Sequence, residues 1–152
     1  MSRLISIIVG IVLTLSSSLI FSATAFATIG LDNDHLSPCP SSPNCVVSQD
    51  GDQKHLVDPI VYKGDRTKAK ETLLKVLSVV PRTKVIEDTD NYIHAESTSR
   101  IFKFVDDAEF YFPEDQDIIQ VRSASRVGES DLGVNRRRIE QIRLAMEDLG
   151  NY

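Results

Sequence analysis

No catalytic signature runs through this chain. It holds no P-loop, no metalloprotease helix, no dinucleotide fingerprint and no Ser-His-Asp arrangement. Cysteine is scarce, at two residues with no C-x-x-C pair, which argues against a redox motif. Positive charge is in deficit: 17 Lys and Arg stand against 22 Asp and Glu, a formal net charge of -5. Nonspecific nucleic-acid binding rests on phosphate neutralisation, and this balance does not supply it. Any anion chemistry must come from a local cluster. Repeats and low-complexity segments are missing too, and 152 residues leave room for one domain.

What is present begins with an apolar leader. Arg3 precedes an apolar run from Leu4 to Phe21, and Ala25-Phe26-Ala27 supplies a small-x-small pattern. This predicts a secretory signal peptide over residues 1–27, cleaved after Ala27. The alternative is an uncleaved helix, because the 18-residue run lies near the lower limit for a bilayer span. Residues 4–21 would then be a membrane tether. No apolar-small-small run precedes Cys39, which argues against a lipoprotein. The folded part is expected to be exported, to a periplasm, a thylakoid lumen or the extracellular space. Without its leader the chain keeps about 125 residues, enough to bury roughly two-thirds of its unfolded surface without a metal or disulfide staple.

Residues 28–64 read as an irregular, cysteine-containing segment packed on a main domain at 65–152. Asp50-Gly51 is a turn signal, and Pro59 to Tyr62 a short strand. Thr67 to Val80 is an amphipathic helix, with Ala69, Leu73, Val76, Leu77 and Val80 on one stripe and Pro81 ending it. Strands are expected at Lys84–Glu87, Tyr92–Ser97, Ile101–Phe112 and Ile118–Ser125. A closing helix carries Ile139, Ile142, Ala145, Met146 and Leu149. The fold class is α+β: a two-layer sandwich in which both helices cover one face of a mainly antiparallel sheet of about four or five strands. The other face is expected to be largely solvated.

Three groups of residues carry the candidate chemistry. Cys39 and Cys45 in CPSSPNC most simply form a disulfide in an exported protein. His35 and His55 flank them, but the spacing fits no common zinc pattern, so no metal or cofactor is expected. In the second group, alternation from Ile101 to Phe112 puts Asp106 on a face with four phenylalanines. That carboxylate calls for an ion pair, with Arg122 or Arg126, or for a bulge at Asp106-Asp107. His94 and Glu96 share a strand face, and Asp107, Glu109 and Arg122 are expected on the same sheet surface. The third group is RSASRVGESDLGVNRRR, where Arg122, Arg126, Arg136, Arg137 and Arg138 crowd around a loop. Ser130, Asp131 or Asn135 could cap the helix that follows. With Asn135 as cap, three arginines occupy a first turn whose dipole disfavours them, so something negative is expected nearby.

CPSSPNCV, YIHAE, FKFVDDAEF, VRSASR and SDLGVNRRR together resemble the family known as domain of unknown function 1499. The resemblance runs from about Leu36 to the C-terminus. It implies a small exported or membrane-associated protein and supplies no reaction. Glu129 departs from the pattern, which leads us to expect an aromatic there. The leading expectation is a noncatalytic module that binds an anionic small molecule or a protein partner. Arg122, Arg126, Ser130, Asn135 and Arg136 would form its surface, and Asp106, Asp107, Glu109 and Asp131 a structural ion-pair network. The alternative is a small hydrolase or isomerase with His94 or Asp106 as general acid–base.

Overall fold

The computed structural model describes residues 28–150. The signal-peptide and tether expectations for residues 1–27 lie outside them. In chain order the elements are β1 (Leu31–Asp32), β2 (His35–Leu36), β3 (Cys45–Val47), β4 (Ile60–Val61), α1 (Arg66–Val79), β5 (Thr83–Asp88), β6 (Tyr92–Thr98), β7 (Val105–Tyr111), β8 (Ile118–Ser125) and α2 (Val134–Gly150).

The architecture is α+β: two helices and a six-stranded antiparallel sheet. Strands run β3-β8-β7-β6-β5, and β4 joins the outer edge of β8 beyond the end of β3. The sheet thus exceeds the four or five strands expected, because two short N-terminal strands share one long partner. The first helix starts where Asp65 accepts a hydrogen bond from the Lys68 backbone at 3.0 Å. Its buried stripe is Ala69, Leu73, Val76 and Leu77. Ile139, Ile142 and Met146 of α2 bury beside it, against Ile93, Ala95, Ala108, Phe110, Ile119 and Val121 of the sheet. Leu149, expected on this stripe, is exposed at the helix end.

The second face of the sheet is covered rather than solvated. Leu36 and Val47 pack there with Tyr92 and Tyr111, and Leu31 and Cys39 close over them. A few apolar residues, Leu31, Leu36, Cys39 and Val47, are enough to form the second layer. Cys39 and Cys45 are joined in a disulfide, with Cα atoms 5.6 Å apart. This bond fits an oxidising location outside the cytoplasm. No described helix is long and apolar enough to cross a membrane.

The long strand expected from Ile101 to Phe112 is shorter. Pairing ends at Thr98 with Val105, and a tight turn fills the interval. Ser99 closes it twice: its backbone N–H donates to the Phe104 carbonyl at 2.8 Å, and its hydroxyl accepts from the Phe104 N–H at 2.9 Å. Ile101, Phe102 and Phe104 are therefore exposed turn residues, although their alternation continues that of the strand. The register of β7 is unbroken through Asp106 and Asp107, so no bulge lies there. The irregularity sits in β5, between Val85 and Glu87.

Candidate functional site

Strand parity sorts the candidate residues. His94 pairs with Glu109, Glu96 with Asp107, and Glu109 with Arg122, so all five project from the covered face. Asp106 pairs with Ser97 and Ser125 on the helix side. His94 and Asp106 are thus on opposite faces, and one pocket cannot use both as acid and base.

Beneath the N-terminal segment, Glu109 is wholly buried and accepts three hydrogen bonds. The Gly30 backbone N–H donates at 2.8 Å, the Tyr92 hydroxyl at 2.8 Å and Arg122 Nη1 at 2.6 Å. Burial, and then the neighbouring carboxylate, push the Tyr92 hydroxyl well above its ordinary acidity range. Arg122 is as buried as its partner, and its Nε and Nη2 have no hydrogen-bond partner among the described residues. Holding an ion pair here is a structural commitment: removing either charge alone strands the other away from water.

The neighbouring cluster closes on itself. His94 Nε2 lies 2.8 Å from Asp107 Oδ1, and Arg126 donates to both oxygens of Asp107 at 2.8 and 2.7 Å while reaching Glu96. Burial alone would raise the Asp107 pKa. Hydrogen bonds and charge from Arg126 and His94 outweigh it and hold the group at about 2. The same bonds from Asp107 and Glu96 push the Arg126 guanidinium further up. Ligand atoms of His94, Glu96 and Asp107 fall within 4.8 Å of one another, a spacing that would suit a cation. The guanidinium of Arg126 already bridges two of the three. It does there what a metal would do.

At the start of α2 the cap is Asp131, whose carboxylate accepts from the backbone N–H groups of Gly133 and Asn135 at 2.8 and 2.7 Å. Ser130 is exposed and accepts only from the Leu132 N–H, at 3.3 Å. Asn135 lies inside the helix, wholly buried. Its oxygen accepts from the Ser123 hydroxyl at 2.6 Å, and its amide donates to the Asn44 carbonyl at 2.9 Å and to the Ser125 hydroxyl at 3.0 Å. This one side chain ties α2, β8 and the N-terminal segment together. Arg136 docks on the same segment, donating to the carbonyls of Leu56 and Lys54 at 2.9 and 2.8 Å.

Asp106 finds its counter-charge in α2 rather than in Arg122 or Arg126. Arg138 Nη2 donates to it at 2.6 Å, and Nη1 reaches Ser123 and Asn135. Arg138 and Asp106 also line an open cavity of ≈ 380 Å³ between the end of α1, the β6–β7 turn and the start of α2. Three more arginines line it: Arg82, Arg100 and Arg137, all exposed. Arg82 donates to the Thr98 carbonyl at 3.0 Å, and Arg137 to the Leu132 carbonyl at 2.9 Å. None of the three has a carboxylate within salt-bridge distance among the described residues. Four guanidiniums against one carboxylate give the wall a formal +3.

Of the five arginines grouped from sequence, Arg137 and Arg138 line this cavity; Arg122, Arg126 and Arg136, expected to form the binding surface, do not, and each is held by internal partners. Arg82 and Arg100 were missed because they lie far apart along the chain. One signal would have found them. Each precedes or follows a strand of the β5–β6 pair, and the pairing of Thr83 with Ser97 sets both at one end of the sheet.

The protein belongs to the family described as protein of unknown function, DUF1499, whose family model matches residues 35–146. No curated protein matches the chain.

Proposed function

We propose that this domain is a noncatalytic module that binds an anionic group in the arginine-lined cavity between α1, the β6–β7 turn and α2. The observation that carries this reading is the uncompensated charge there. Arg82, Arg100 and Arg137 line one cavity, and among the described residues none has a carboxylate partner, on a protein whose overall charge is -5. Arg122, Arg126 and Arg138 are each paired with a carboxylate, and Arg136 spends two donors on the Leu56 and Lys54 carbonyls away from this cavity. Thr98 and Ser99 add hydroxyls to the wall, which suits a tetrahedral oxyanion such as a phosphate or sulfate group. A carboxylate ligand would satisfy fewer of these donors. The cavity is open, as a binding site for an exchangeable group needs to be. Export to an oxidising compartment is part of the same reading, supported by the disulfide.

Titration calorimetry with inorganic phosphate, and then with a phosphate monoester, tests it. Arg100→Ala and Arg137→Ala are each expected to weaken binding by about tenfold, the scale of one charge-assisted hydrogen bond. Both residues are exposed, so the fold should be unaffected. Absence of binding, or binding indifferent to both substitutions, refutes the proposal.

A further inference from the structure

The end of the domain that carries the cavity also carries the largest exposed apolar side chains. Ile101 and Phe102 are 77% and 72% exposed at the tip of the β6–β7 turn, with Phe104 stacked on Phe102 at 5.5 Å between ring centroids. Arg100 and Lys103 are interleaved with them, both exposed. Leu132, 84% exposed, projects from the loop between β8 and α2. That loop leaves the sheet beside the turn, because the Arg126 N–H donates to the Val105 carbonyl at 3.1 Å.

From this juxtaposition we infer that the β6–β7 turn docks the domain on an anionic membrane surface, with its phenylalanines in the lipid interface and a lipid phosphate in the arginine cavity. The headgroup part rests on the anion-binding reading above; the apolar turn is a separate observation. Three features favour a bilayer over a protein partner. First, the apolar side chains stand on projecting turns, and a bilayer accepts a convex tip with no complementary groove. Secondly, the basic residues alternate with the apolar ones and continue into the cavity wall through Arg100. This is the arrangement by which a cationic rim meets anionic headgroups while rings enter the interface. Thirdly, the rest of the molecule is acidic. With a formal net charge of -5, attraction to an anionic surface has to come from a local basic region such as this one. Glu129 and Asp131 in the β8–α2 loop and Asp106 in the cavity wall are the opposing charges, and they lower the attraction without reversing it. The turn is built to be presented: Ser99 and Phe104 lock its base, so its geometry does not depend on the lipid.

The chain contains no tryptophan, so a single one placed in the turn reports on that turn alone, whatever residues 4–21 do. In the full chain, Phe102→Trp emission should shift to the blue with vesicles of phosphatidylcholine mixed with phosphatidylserine. With phosphatidylcholine alone it should not. Adding Arg100→Glu and Lys103→Glu should weaken the response by roughly tenfold or more. Phe104→Trp gives the same test from a second position. No shift with anionic vesicles, an equal shift with neutral ones, or indifference to charge reversal overturns the inference. Calorimetric phosphate binding in the same variant then separates the two ideas. Phosphate bound without a vesicle response leaves the cavity reading standing and removes the membrane. A vesicle response without phosphate binding removes the cavity reading and the proposed headgroup contact with it.

Discussion

Neutralising Glu109 should destabilise the domain more than any surface change, and the reason is local. Its carboxylate is wholly buried and accepts from Gly30, Tyr92 and Arg122. Glu109→Gln keeps the volume and two of the contacts but leaves the Arg122 guanidinium as an unpaired buried charge. Breaking one side of a buried ion pair costs about 3–5 kcal/mol. Arg122 is also poorly placed to absorb the loss, since two of its nitrogens already lack partners. The double variant Glu109→Gln, Arg122→Met removes the stranded charge and both orphan donors. It should regain most of the stability, because a well-packed apolar replacement of a buried pair is often neutral or better. Urea unfolding followed by far-ultraviolet circular dichroism, with the disulfide intact, measures both. A single-variant loss below about 1 kcal/mol, or a double variant whose loss equals the sum of the two singles, would refute this reasoning.

Other perturbations read different parts of the structure. Asp107 has a folded pKa of about 2 against an ordinary 3.8, so its ionised form is favoured by folding. The associated stability, roughly 2 kcal/mol, is fully present above the ordinary value and is lost as pH falls through the folded one. The difference between the wild type and Asp107→Asn should therefore be constant from neutral pH to about 4 and shrink toward pH 2; a difference that does not change with pH contradicts the assignment. Asn135→Ala should cost about 1–3 kcal/mol, because the Ser123 and Ser125 hydroxyls and the Asn44 carbonyl lose a buried partner. Reducing Cys39–Cys45 should lower unfolding stability by roughly 2 kcal/mol, the entropy of a short loop, while the circular dichroism spectrum persists. Loss of the folded spectrum at neutral pH would give the bond a larger role.

Most of the main domain was legible in the sequence, and its failures are specific. The stripe Ala69, Leu73, Val76 and Leu77 located α1 to within a residue at each end, and Ile118–Ser125 was read at its observed bounds. Alternation failed at Ile101–Phe104 because period two says which side chains share a face, not whether a partner strand is there. Ser99, a short polar residue able to close a turn on Phe104, is what stops the ladder. The second face was misjudged because the residues that cover it, Leu31, Leu36 and Val47, are isolated in a polar segment and have no periodicity to read. For the cavity, density along the chain pointed to Arg137 and Arg138 but not to Arg82 and Arg100. Within RSASRVGESDLGVNRRR, Arg122 and Arg126 fold onto carboxylates and Arg136 onto carbonyls. Arg82 and Arg100, which have no carboxylate partner among the described residues, are brought to one end of the sheet only by strand pairing.

The central claim is that this end of the domain, and not the arginine-rich stretch as a whole, receives an anion. Phosphate titration followed through the arginine side-chain Nε–Hε resonances tests it most directly. Arg82, Arg100, Arg137 and Arg138 should shift together along a single saturable curve, while Arg122, Arg126 and Arg136 stay in place. Shifts confined to Arg122, Arg126 and Arg136, or no saturable shift at all, would contradict it.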